Sequence, residues 1–62
     1  MAYLCVDKEK ELENLFIGDK PVRDIDLEHW VNKNDSYIIL PKGSIKKLIG
    51  RELKWEDEPV EI

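Results

Sequence analysis

The sequence has one cysteine, Cys5, among its 62 residues. It can form no internal disulfide, and a lone thiolate cannot build a zinc site. Small secreted domains usually depend on several bridges, so this shortage fits a reducing compartment. Cys5 sits between Leu4 and Val6, where a thiol acts as a small buried hydrophobe rather than a nucleophile. No apolar run of about 18 residues occurs, so no transmembrane helix and no membrane partner is expected. The opening MAYLCVDKEK lacks the basic start and apolar stretch of a secretory signal, and the cytoplasm is the expected location. His29 is the only histidine, and Ser36 and Ser44 are the only serines. Neither serine has a Gly-x-Ser-x-Gly setting, and the Gly-x-x-x-x-Gly-Lys phosphate loop is missing. Repeats, low-complexity tracts and linkers are absent too.

What is present makes one domain, residues 1–62. A chain of this size buries only about 60% of its unfolded surface. Its stability should lie at roughly 3–5 kcal/mol. Hydrophobic residues make up 42% and charged residues 39%, enough apolar content for a compact fold and too much for a disordered tail. So small a core seldom encloses a substrate pocket of about 300 Å³. The chain is therefore read as non-catalytic, with no cofactor and no metal.

Charge is segregated along the sequence. Segment 42–54 holds five basic residues, Lys42, Lys46, Lys47, Arg51 and Lys54, against Glu52 alone, a balance of +4. The remainder carries −8, which gives the net −4. Such asymmetry bears on partners rather than on fold.

Residues 2–7 read as a strand whose unbroken apolar run suits a central place in a sheet. Residues 8–14 are charged and form a connection, and 15–17 make a second strand. Leu12, Leu15 and Phe16 also fit helical spacing, with Asp7 as cap and Gly18 as stop, so 8–16 stays open between strand, loop and helix. Acidic and apolar residues alternate over 24–28, a half-buried strand pattern that 29–31 extends. The turn cluster 32–36 links it to a strand at 37–40, as in a hairpin. Ser44 suits a helix N-cap, Ile45, Leu48 and Ile49 share one face, and Gly50 stops the helix at 44–49. A helix this short must lie on the sheet. Residues 53–55 read as a short strand, and 59–62 as an extended end at a sheet edge, given Pro59. The expected fold is mainly β (α+β), a small antiparallel sheet or SH3-like barrel of four or five strands with one short helix. The expected core is Tyr3, Cys5, Phe16, Trp30, Ile38, Leu40, Ile45, Leu48, Ile49 and Leu53.

The stretches YLCVDK, KPVR and LPKGSIKKLIGRELKWEDEPVEI resemble a group of short phage and prophage proteins with no assigned activity. The resemblance covers most of the chain and departs from it over 8–14, which is longer here. It implies a setting, a small accessory gene of a mobile element. Products of such genes often bind and block host machinery.

Three functions follow as expectations. The first is a protein that covers a surface of another protein, as an inhibitor of a host defence or nucleic-acid enzyme. Its carboxylates would imitate phosphates, with Asp24, Asp26 and Glu28 on the contact surface. Trp30 or Trp55 would serve as anchors there, since tryptophan is enriched at interface hot spots. The second is nucleic-acid contact through Lys42, Lys46, Lys47, Arg51 and Lys54, although net acidity weighs against free DNA binding. The third is self-association, a homo-oligomer that buries surface a thin core cannot. Asp24, Asp26 and Glu28 in line on a strand cannot wrap a cation that takes about six to eight oxygens, and His29 falls on the opposite face.

Overall fold

A computed structural model describes all residues, 1–62. The fold is mainly β, in keeping with the sequence pattern. We number its strands β1 (Ala2–Val6), β2 (Glu13–Ile17), β3 (Val22–Asp24), β4 (His29–Val31), β5 (Tyr37–Leu40) and β6 (Val60–Glu61), with one helix, α1 (Ser44–Ile49). Four strands form an antiparallel sheet in the order β5-β2-β1-β6, and β3 and β4 form a separate hairpin. The main sheet is open, with β5 and β6 as its edges.

β1 is central, and its run Leu4, Cys5, Val6 is buried on both faces. Alternation sends Leu4 and Val6 to one face, where they pack with Ile45 of α1 and with Leu53. Cys5 goes to the other face, where it packs with Phe16 and Trp30. The core is thus two thin layers, one on either side of the sheet. The helical alternative for 8–16 does not form. Residues Glu9–Glu11 make a short 3-10 turn, and Leu15 and Phe16 lie opposite Leu4 and Tyr3 in the sheet.

The hairpin expected from 24–31 and 37–40 is replaced by a different pairing. β4 pairs with β3, through Val22↔Val31 and Asp24↔His29, while β5 pairs with β2. Residues 25–28 are not strand but the turn of the β3–β4 hairpin. The alternation there has no neighbouring strand to pair with. The Asp24 carboxylate instead closes the turn by accepting the Leu27 N–H at 3.0 Å. Residues 53–55 form no strand either. Lys54 N–H donates to Asp57 Oδ2 at 2.8 Å and Asp57 N–H to the Lys54 carbonyl at 3.0 Å, which closes a turn. Leu53 and Trp55 consequently reach the two opposite core layers.

Ser44 does not cap α1. The residue before the helix is Gly43, and the capping group is the Glu13 carboxylate of β2. It accepts the N–H of Gly43 at 2.6 Å and that of Ile45 at 2.8 Å. Gly50 ends the helix at φ 79°, a left-handed conformation that favours glycine, with its N–H on the Lys46 carbonyl at 2.9 Å. Two residues assigned to the core are exposed instead. Ile38 is 51% and Leu48 58% accessible, because nothing covers β5 or the outer side of α1. Leu4 and Val6 take their place in the core.

Candidate functional site

The two tryptophans lie together on the Cys5 side of the sheet, with ring centroids 5.6 Å apart in a T-shaped contact. Trp30 is only 4% exposed, its indole N–H donates to the Val6 carbonyl at 2.8 Å, and its backbone N–H to Asp7 Oδ1 at 3.1 Å. Trp30 therefore fastens the hairpin to the sheet and is closed to a partner. Trp55 is half-buried against the same layer. Sequence reasoning passed over Arg23, which joins them. Its guanidinium lies 4.7 Å from the Trp30 ring centre and 5.3 Å from that of Trp55. Arg23 also donates to the Trp55 carbonyl at 2.9 Å and the Asp57 carbonyl at 3.4 Å, while its Nε is buried without a partner. A guanidinium held against ring faces is stabilised by their quadrupoles. The local signal was only the KPVR stretch; both rings come from distant parts of the chain.

This clamp presents the tip of the β3–β4 hairpin. Glu28 sits at φ 59° in the left-handed region, and its carbonyl accepts the N–H groups of Lys8 and Glu9 at 3.1 and 3.2 Å. Its carboxylate is 3.6 Å from the Lys8 ammonium. Asp24 is engaged in the turn, and Asp26 is exposed. The three carboxylates are thus arrayed around a turn rather than along one strand face. Between them, Ile25 is 76% and Leu27 53% exposed. Apolar side chains this open, interleaved with carboxylates on a pinned turn, form a small amphipathic knob.

The basic side chains of 42–54 are interspersed with carboxylates. Lys42 and Lys46 share a shallow recess with Glu11, Glu13 and Glu52. Lys54 borders another with Asp7, Glu11 and Glu56. Lys47 and Arg51 are exposed. Carboxylates lie among the cations on both sides, which weakens the field a phosphate backbone would meet.

A recess of about 130 Å³ lies under the hairpin, bordered by Asp7, Asn14, His29, Trp30, Tyr37 and Ile39. His29 Nδ1 is 3.2 Å from the Trp30 carbonyl. No three of the His, Cys, Asp and Glu side chains converge as metal ligands would. The largest concavity, about 480 Å³, is an open depression beside Val22, Val31, Lys20 and Lys33. Cys5 is buried, and desolvation, with the Asp7 charge adding to it, pushes its thiol far above the ordinary range. No helix is long and apolar enough to cross a membrane. No family model matches the chain, and neither a curated protein nor a solved structure matches it.

Proposed function

We propose that this chain is a non-catalytic binding protein that seats the tip of its β3–β4 hairpin on another protein. The observation that carries the reading is the exposure of Ile25 and Leu27 between Asp24, Asp26 and Glu28 on a turn held from below by Trp30. Exposed apolar side chains supply the contact area, and the carboxylates steer the tip toward a basic-rimmed surface. A pinned turn loses little entropy on docking, which favours affinity. A basic rim would attract these carboxylates, and basic surfaces mark proteins that bind nucleic acid. The phage-type resemblance points the same way, to a host defence or nucleic-acid enzyme in the host cytoplasm as the partner that is covered and inhibited.

The test is affinity capture from host lysate with matched variants. Wild type and an exposed-site control, Lys47→Ala, should recover the same host protein. Ile25→Ser with Leu27→Ser should recover it about tenfold less, and Asp26→Lys should weaken capture most at low salt. Identical recovery by all variants would dismiss the hairpin tip. Retention on a DNA column that falls steeply with salt and vanishes in Lys46→Glu/Lys47→Glu would favour nucleic-acid contact instead.

A further inference from the structure

β5 is an edge strand whose own residues carry no device against pairing, although Pro41 follows it directly. The opposite edge, β6, is protected: it spans only Val60–Glu61, follows Pro59 and carries a carboxylate. β5 reads Tyr-Ile-Ile-Leu, without charge or proline, and Tyr37, Ile38 and Ile39 are 47%, 51% and 56% exposed. Natural edges are normally guarded by lysine, proline, bulges or brevity.

The register of the free edge follows from the sheet. Ser36 lies level with Ile17, whose N–H donates to the Ser36 carbonyl at 2.9 Å. The reciprocal bond is made through Asn32, whose side chain accepts the Ser36 N–H and donates to the Ile17 carbonyl. Ser36 therefore faces β2. In an antiparallel strand the inward and outward groups alternate, so Ile38 and Leu40 also face β2. The N–H and C=O groups of Tyr37 and Ile39 point away from the sheet.

We infer that β5 is the docking edge for a second copy of this chain, paired antiparallel about a two-fold axis at Ile38. In that register Tyr37 of each copy exchanges backbone hydrogen bonds with Ile39 of the other, so every outward group from 37 to 39 is satisfied. Moving the axis by one residue to Ile39 sets Tyr37 against Pro41, which has no N–H to give. The favoured register also places exposed Asp35 of each copy near exposed Lys42 of the other, which is complementary in charge. The two Ile38 side chains meet as a close cross-strand pair, with Cα atoms about 4.5 Å apart. They extend the exposed apolar surface that Ile38 forms with Ile17 beside half-buried Leu15. Because β6 is guarded, pairing closes at two copies and does not grow into a fibre. A standard interface takes about 800 Å² per partner, roughly a fifth of this chain's 4376 Å² surface. A single short edge supplies less, so the dimer is weak and concentration-dependent. It carries two hairpin tips, but it does not depend on what those tips bind.

Sedimentation equilibrium together with amide hydrogen exchange across a concentration series tests this. Mass should rise toward that of a dimer below about 1 mM. Over the same range the amides of Tyr37 and Ile39 should become protected, while those of Ile38 and Leu40 stay protected throughout. Ile38→Lys should raise the dissociation constant at least about tenfold with unchanged circular dichroism. Ile39→Pro, which removes an outward N–H and no hydrogen bond to β2, should do the same. A monomer at about 1 mM, an open series of higher masses, or a folded Ile38→Lys chain that dimerises as wild type would each overturn the proposal.

Discussion

Replacing Glu13 with alanine tests whether one carboxylate ties the helix to the sheet. Both of its oxygens are engaged, one with the Gly43 N–H at 2.6 Å and the other with the Ile45 N–H at 2.8 Å. Loss of an ordinary N-cap costs about 1 kcal/mol. Hydrogen bonds to a charged group contribute about 1.5–3 kcal/mol when the donors are otherwise left without a partner. Glu13 is half-buried and holds two donors, so about 2 kcal/mol is the expected cost of Glu13→Ala. A domain of this size has roughly 3–5 kcal/mol in all, so the loss approaches half. The consequence reaches past the helix end, because Ile45 is the fully buried side chain of α1 and belongs to the core layer of Leu4 and Val6. Urea unfolding followed by tryptophan fluorescence should show the midpoint fall with little change in slope. The melting temperature should drop by about 10 °C. Glu13→Gln keeps an acceptor oxygen but loses the charge, and should lose about half as much. Glu52→Ala, exposed and without a hydrogen bond to a helix end, serves as the control. A Glu13→Ala chain within about 0.5 kcal/mol of wild type would refute the capping role.

Arg23→Lys should destabilise by about 1–2 kcal/mol in the same urea assay, since an ammonium cannot lie flat against two indole rings while reaching the carbonyls of Trp55 and Asp57. Equal stability of the two chains would remove Arg23 from the clamp. Cys5 should resist a thiol reagent in the native state and react only on unfolding. Its native thiol stays protonated, whereas the unfolded thiol ionises above its ordinary 9.0. The folded state then holds more protons, so stability falls as pH rises through that value, by up to about 1.4 kcal/mol per pH unit. Cys5→Ala should remove that part of the alkaline loss, and an unchanged slope between pH 9 and 10 would contradict it.

Patterns carried by neighbouring residues were legible in the sequence. The apolar run of β1 marked the central strand, Tyr37–Leu40 marked β5, and the i, i+3, i+4 spacing with Gly50 marked α1. Features that depend on distant residues were not. Ser44 had the right chemistry for a cap, but Glu13, on another strand, occupies that place. Nothing beside Arg23 in the chain marks it, because the rings it lies against, Trp30 and Trp55, come from elsewhere in the sequence. The alternation at 24–28 was real, yet alternation signals a strand only where another strand lies beside it. Here the Asp24 carboxylate and the left-handed Glu28 turn the chain back first.

The misplaced apolar residues share one physical cause. A sequence pattern shows which side chains are apolar but not what covers them, and coverage depends on the reach of the covering element. Four strands at about 4.8 Å spacing span about 14 Å. A helix limited to Ser44–Ile49 rises only about 9 Å. It covers Leu4 and Val6, and it leaves Ile17 and Ile38 open. On the other side the β3–β4 hairpin lays Trp30 over Cys5 and Phe16 and leaves Ile25 and Leu27 beyond its own turn. Because both elements are short, two separate apolar surfaces stay exposed: the uncharged strand edge of Tyr37, Ile38 and Ile39, and the turn where Ile25 and Leu27 stand among Asp24, Asp26 and Glu28.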